Sequence, residues 1–380
     1  MSSAKNWKRA RAQPAVLLRV SYLPPELAIS CALQTRHSSR MENMLHLAPS
    51  QALPLDRCIY TSEHQLPAAI SATTSLPIID MSRGRSEVRR AILDAGMEYG
   101  FFMVVNHGIS EEVIRDVEDV CEEFFQLPAA DKAYMYSEDR YKPNRIFSGT
   151  TYETGGEKYW RDCLRLACPF PVGDGTKDWP HTPQRLRGVI ENFTTLTRGV
   201  GMELLQLLCE AMGLQPDYFE GDISGGDVIL NINHYPICPN PSKTLGLPPH
   251  CDRNLMTLLL PGKVYGLDVA YKGDWIKVEP VPGAFVVNFG QQLEVVTNGL
   301  LKSIEHRVVT SATQARTAVA TFIMPTPDCL IGPAEEFITE DKPPCYRTVK
   351  FRDFMRIYNV VKLGSSINLT TDLKNVQRQI

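Results

Sequence analysis

Apolar positions repeat with one period in the first half of the chain and another in the second. In Glu87–Gly100, Val88, Ile92 and Ala95 recur at helical spacing, which predicts a helix with one buried face. Leu76–Asp80 predicts a short strand. The unbroken apolar run Phe101–Val105 predicts a buried one, stopped by Asn106-His107-Gly108. Ser110 followed by Glu111 and Glu112 has the form of a capped helix start, because hydroxyl and carboxylates suit the positive end of the helix dipole. Val113, Val117, Val120, Cys121 and Phe124 supply that helix's stripe. Pro183–Gly213 is the longest helical pattern, carrying Leu186, Ile190, Phe193, Val200, Leu204 and Leu208. Gly213 suits the left-handed residue that ends a helix, and the helix is expected to brace the back of a sheet.

From Asp227 the period becomes two. Ile229, Asn231, Asn233 and Tyr235 share one face of a strand, and Leu230, Ile232 and His234 share the other. Short β-runs follow at Leu255–Leu260, Leu267–Tyr271, Trp275–Val278, Ala284–Phe289, Leu293–Thr297, Ile304–Thr310 and Arg316–Met324. Pro261-Gly262, Lys272-Gly273-Asp274, Pro282-Gly283 and Asn298-Gly299 punctuate them as turns. The expected fold is mainly β with flanking helices, a sandwich or jelly roll. Four segments are expected: a basic extension and linker over 1–75, a region of helices and strands over 76–222, the β core over 223–327, and a C-terminal helix and tail over 328–380.

The β core carries the candidate chemistry. If the chain is extended after Pro249, alternation points His250 and Asp252 the same way. A second imidazole, His306, lies on a later strand. Two histidines and one carboxylate can occupy one face of an octahedral Fe(II) and leave three positions open for a 2-oxo acid and O2. His-x-Asp by itself is common, and a structural histidine beside a turn aspartate is the plainer reading of it. The distal His306 and Arg316 alter the balance. Ser311–Ala315 reads as a loop, so the strands of His306 and Arg316 are expected to form a hairpin that brings Arg316 near the ligands. Its guanidinium fork matches a carboxylate and keeps its charge. A zinc hydrolase would use a tetrahedral site with a general base nearby; no His-Glu-x-x-His is present, and hydrolysis has no use for Arg316.

Composition narrows the field without naming a reaction. The chain has 380 residues, 43% hydrophobic and 22% charged, as in a globular protein able to bury a large core. A net charge of −3 and the lack of a basic stripe interleaved with aromatics argue against nucleic acid. Residues 1–40 hold seven basic side chains and one acid, Glu26, a net +6 that leaves −9 for the remainder. Such a start resembles a plastid transit peptide or a disordered extension upstream of Met41. No apolar run approaches a membrane span. Ten cysteines without a Cys-x-x-Cys pair suit reduced thiols in the cytoplasm. A monomer acting on a small molecule is the expectation.

Ahead of His250, Asn233-His-Tyr235-Pro-Ile-Cys-Pro239 matches Asn-x-Tyr-Pro-x-Cys-Pro. With His-x-Asp, a distal His and Arg-x-Ser, this pattern resembles the plant 2-oxoglutarate/Fe(II)-dependent dioxygenases. The resemblance implies a double-stranded β-helix core and Fe(II) held by His250, Asp252 and His306. It further implies 2-oxoglutarate bound by Arg316 and Tyr235, O2 as second co-substrate and ascorbate as reductant. The Asn231/Asn233 row would then face the active site. One position departs: Arg316-Thr317-Ala318 lacks the serine. The lost hydroxyl removes a hydrogen bond worth about 1 kcal/mol, and Thr317 points to the other face. A catalytically impaired binding protein is the reading Ala318 favours. Lys142–Gly149, Gly155–Pro171, Asn288–His306 and Phe351–Thr371 resemble the branch of the family that hydroxylates phytosiderophores in grasses. That implies 2′-deoxymugineic acid or a relative as substrate, with Asn231, Asn233 and Gln291 offering polar contacts. Flavonoid or salicylate hydroxylases share the same architecture.

Overall fold

Both periods appear as two sheets facing each other, with helices against the outside of the larger. The computed structural model describes residues 75–137, 139–148, 159–170 and 174–358. The strands are β1 (Ile78–Asp80), β2 (Phe101–Val105), β3 (Arg145–Phe147), β4 (Asp162–Cys168), β5 (Val228–Tyr235), β6 (Leu245–His250), β7 (Met256–Leu260), β8 (Leu267–Tyr271), β9 (Asp274–Val278), β10 (Phe285–Phe289), β11 (His306–Val309) and β12 (Arg316–Ile323). The main helices are α1 (Arg85–Glu98), α2 (Glu111–Gln126), α3 (Leu186–Met212), α4 (Gln291–Val296) and α5 (Phe351–Tyr358). Eight strands form one sheet in the order β1-β2-β10-β7-β12-β5-β4-β3, and four form the other in the order β6-β11-β8-β9. Apart from the parallel β1/β2 edge, neighbouring strands are antiparallel. This is the expected jelly roll, a double-stranded β-helix with flanking helices. Strands β1–β4 extend the core sheet, so the 76–222 region and the 223–327 region share one sheet.

Alternation sorts the large sheet's two faces. Leu164, Leu166, Leu230, Ile232, Leu258, Val319 and Ile323 pack with Ile190, Phe193 and Leu204 of α3 in the main core. The intervening positions Asn231, Asn233, Tyr235, Arg316, Ala318 and Ala320 line a cavity between the sheets. The helix starts and stops follow the sequence. Ser110 Oγ accepts from Val113 N at 3.3 Å, and Gly213 closes α3 in the left-handed conformation at φ 75°. Phe351 and Phe354 of α5 are buried in the same core. Among the described residues no helix is long and apolar enough to cross a membrane. The basic extension and the transit-peptide expectation fall in 1–74 and the tail in 359–380, both outside the described residues.

Two expectations need correction. Leu293–Thr297 is not a strand; Leu293–Val296 belongs to α4, every residue of which is buried. A short apolar run has no distinguishing period, and the deciding feature lies in the partner backbone. Gly290 N donates to Leu255 O at 3.0 Å, Gln291 N to Asp252 O at 2.7 Å and Gln292 N to Asn254 O at 3.2 Å, so the start of α4 seats directly on the segment after β6. Nor do β11 and β12 form a hairpin. Both edges of β11 are taken by β6 and β8, and both edges of β12 by β5 and β7. The link between them crosses from one sheet to the other.

Gly290 makes a test of this seating. A Cβ there would sit 1.9 Å from Asn254 O, a backbone atom that cannot swing aside. Overpacking of this kind costs about 1–3 kcal/mol. Gly290→Ala should therefore lower the melting temperature by about 2–10 °C in a thermal melt. An unchanged melt would show that the approach is not tight.

Candidate active site

His250 ends β6 and His306 opens β11, and the antiparallel register makes them direct partners. Their ring centroids lie 4.2 Å apart with 50° between the planes. Each ring turns Nδ1 toward a carbonyl two residues back, Pro248 O at 2.8 Å for His250 and Ile304 O at 3.3 Å for His306. A donor at Nδ1 leaves the lone pair on Nε2. Both Nε2 atoms lie 3.8 Å from Asp252 Oδ1.

Asp252 reaches this point by a route the alternation argument did not foresee. β6 stops at His250, and Asp252 sits in the segment that crosses to β7. Its orientation comes from side chains of the large sheet: Oδ2 accepts from Thr257 Oγ1 at 2.6 Å and from Asn288 Nδ2 at 2.8 Å. Oδ1 is left facing the imidazoles. Thr257 and Asn288 were not anticipated. The available signal was a single polar residue inside each of the apolar runs Met256–Leu260 and Phe285–Phe289.

Protonation states suit ligation. Burial, followed by repulsion from His306, holds His250 well below the usual histidine value, so it is neutral at pH 7. Burial alone pushes Asp252 up, but attraction from His306 and His250 and the bonds from Asn288 and Thr257 outweigh it and hold the carboxyl below its ordinary range. Two imidazole nitrogens and one anionic oxygen are the donor set expected for Fe(II). Their ligand atoms lie within 4.8 Å of one another, and among the described residues no other trio of His, Cys or carboxylate groups is grouped this closely.

Arg316 begins β12 opposite Tyr235 of β5. The side chain is 5% exposed and lines the same cavity. Its Nε donates to Val264 O at 3.0 Å, and its guanidinium carbon lies 5.3 Å from the Tyr235 ring centroid. Burial lowers its pKa while Tyr235 acts in the opposite sense, and an arginine stays cationic throughout. No carboxylate pairs with it among the described residues. A buried cation without an anion is costly, so the pocket fits a ligand carboxylate such as an end of 2-oxoglutarate.

The remaining expected positions divide. Asn231 and Asn233 line the cavity. Gln291 opens α4 behind Asp252 and is not among the cavity-lining residues. Ala318 lies on the cavity floor beside Asn233, and the Thr317 hydroxyl is 3.0 Å from His234 Nδ1 on the opposite face. Arg161 and Arg165 also line the cavity and were not singled out from the sequence. Their spacing of four, with Leu164 and Leu166 at the alternate parity, was the readable signal.

Residues 226–325 match the 2OG-Fe(II) oxygenase superfamily, and residues 76–185 match the family described as non-haem dioxygenase in morphine synthesis N-terminal. The chain is 70% identical over 340 residues to 2′-deoxymugineic-acid 2′-dioxygenase of Hordeum vulgare, covering 90% of this chain and 100% of that one. It is 58% identical over 341 residues to mugineic-acid 3-dioxygenase of the same species, with the same coverage. A crystal structure of JOX2 in complex with 2OG, Fe and JA superposes with a TM-score of 0.76 at 31% identity, covering 87% of this chain and 96% of that one. The convergent histidines and carboxylate, the buried guanidinium of Arg316 and full-length kinship lead to one conclusion: this chain belongs to the 2OG-Fe(II) oxygenase superfamily and is a dioxygenase that uses Fe(II), 2-oxoglutarate and O2.

Proposed function

We propose that this dioxygenase hydroxylates 2′-deoxymugineic acid or a closely related phytosiderophore, with His250, Asp252 and His306 as the Fe(II) ligands and Arg316 and Tyr235 as the 2-oxoglutarate site. The observation that carries the site is the convergence of both Nε2 atoms on Asp252 Oδ1, at 3.8 Å each. What supports the substrate is 70% identity across the full length of the barley 2′-dioxygenase, against 58% for the 3-dioxygenase.

Bound Fe(II) supplies the coupling of O2 reduction and oxidative decarboxylation of 2-oxoglutarate, to succinate and CO2, with hydroxylation of the substrate. The chain's own part is placement. Thr257 and Asn288 hold Asp252 so that one oxygen is committed to the metal. The carbonyls of Pro248 and Ile304 fix the histidine tautomers. Arg316 anchors the far carboxylate of 2-oxoglutarate, so its 2-oxo acid end is directed to the metal. The β core over 223–327 holds all five of these site residues. We take the enzyme to work as a cytoplasmic monomer.

Incubation with Fe(II), ascorbate, 2-oxoglutarate and 2′-deoxymugineic acid should release succinate and hydroxylated product in equal amounts. Turnover of a flavanone or salicylate in place of the acid would overturn the substrate and leave the reaction class standing. Thr257→Val removes one of the two donors that orient Asp252. Its Fe(II) affinity should fall about 10–100-fold in a metal titration, and unchanged affinity would remove Thr257 from the site. Arg316→Met should raise the KM for 2-oxoglutarate by roughly two orders of magnitude, since it deletes one partner of a buried charge pair. Ala318→Ser should lower that KM by about five-fold, the value of one restored hydrogen bond. If the parent chain shows no binding in a 2-oxoglutarate titration, the impaired binding protein becomes the better reading of Ala318.

A further inference from the structure

A carboxylate outside the cavity is buried close behind the triad. Glu294 lies in α4 and is 2% exposed. A buried charge is tolerated only where hydrogen bonds replace its water. Here each oxygen has a donor: Oε2 accepts from Ser303 N at 2.9 Å and Oε1 from Tyr346 Oη at 2.7 Å. Lys302 Nζ stands 3.7 Å from Oε1. These donors come from two places, the link between α4 and β11 and a segment ahead of α5.

The link spans residues 297–305 and ends at His306. Before β11 begins, its backbone has no strand ladder to hold it, and side chains of α4 and its C-cap take that part. Thr297 Oγ1 accepts from Leu301 N at 3.1 Å, and Glu294 accepts from Ser303 N. Ser303 then meets the triad on two sides. Its hydroxyl donates to Asp252 O at 3.3 Å, the carbonyl that also accepts from Gln291 N at 2.7 Å. The next residue, Ile304, supplies the carbonyl facing His306 Nδ1. Gly100 closes against the same link: a Cβ there would meet Lys302 O at 2.6 Å. The neighbouring Phe101 places its ring edge-on to His306, with centroids 5.3 Å apart. One charged acceptor therefore anchors a peptide that touches Asp252 and leads directly into His306. Bonds to an ionised acceptor are shorter and stronger than neutral ones, which suits an anchor that must hold a loop in one place.

We propose that Glu294 is a positioning residue for the metal site. Its carboxylate fixes the Ser303 peptide, and through that peptide both the Ile304 carbonyl that sets the His306 tautomer and the hydroxyl bonded to Asp252 O. This rests on the ligand assignment proposed above and adds a group that touches none of the ligands itself. Tyr346, bonded to the other oxygen, ties the same carboxylate to the C-terminal part of the chain and serves stability.

The test is an anaerobic Fe(II) titration of the full chain, with the melting temperature of each metal-free protein measured alongside. Titrations run well below those melting temperatures, so only folded protein is compared. Glu294→Ala should weaken Fe(II) binding about 10–100-fold, the usual effect of losing an outer partner of a ligand. Glu294→Gln keeps an acceptor for Ser303 N and should restore most of that affinity. Tyr346→Phe should lower the metal-free melting temperature and leave Fe(II) affinity as in the parent, a separation that a purely structural Glu294 would not produce. Glu294→Asp keeps the charge and shortens the reach; it should bind Fe(II) more weakly than the parent, and it carries the test if Glu294→Ala does not fold. His306→Ala reports the ligand assignment separately. If that variant loses Fe(II) while the Glu294 variants bind within about two-fold of the parent, below the ~10-fold expected of an outer partner, Glu294 has no positioning role and the ligand set stands. If the parent binds no Fe(II), or His306→Ala binds it as tightly as the parent, the ligand set and the role of Glu294 fall together.

Discussion

The site depends on how one carboxylate is held. Asp252 lies off the regular strand, in a crossing segment where backbone register alone fixes little. Its orientation is set by two donors on a single oxygen, from Thr257 and Asn288. They stand on adjacent strands of the large sheet at paired positions. The imidazoles, by contrast, are fixed by the small sheet, where β6 and β11 set His250 opposite His306. The candidate metal site is thus a junction between two sheets, and the start of α4 is packed on the crossing segment.

The same division explains how the protein carries so many buried polar groups. The outer face of the large sheet merges with the helices into one hydrophobic core, and burial there is the main stabilising term. The inner face gives up that gain, presenting asparagines, arginines and small alanines. Such a face is tolerated because its polar groups are held by one another or by bound ligands. Arg161 on Asn233 and Arg316 against Val264 O and Tyr235 are examples of the first kind. Arg316 faces no carboxylate among the described residues, so its end of the cavity suits an anionic ligand.

Ala318 shows how a site can vary without losing its frame. The position is 2% exposed and sits between Asn233 and the guanidinium end of the floor. A hydroxyl there would add one donor. Thr317 cannot substitute, because strand alternation turns it to the far side, where it meets His234.

Much of this was legible in the chain itself. The 3.6 and 2.0 periods marked the helices and strands; alternation put Asn231, Asn233 and Tyr235 on one face, and the motif at Tyr235 identified that face as the inner one. The His250–Asp252 doublet, His306, Arg316 and the Asn-x-Tyr-Pro motif identified the chemistry, since metal and carboxylate recognition demand particular side-chain types. What the chain did not reveal was partnership across long sequence distances. That β11 and β12 join different sheets, that Leu293–Val296 coils into α4, and that Thr257 and Asn288 hold Asp252 are matters of non-local hydrogen bonding. Arg165 beside Asn231 is another such case, 66 positions apart in sequence and neighbours only through the β4/β5 register. Local pattern fixes which way a side chain faces on its own strand; only strand pairing decides what it faces.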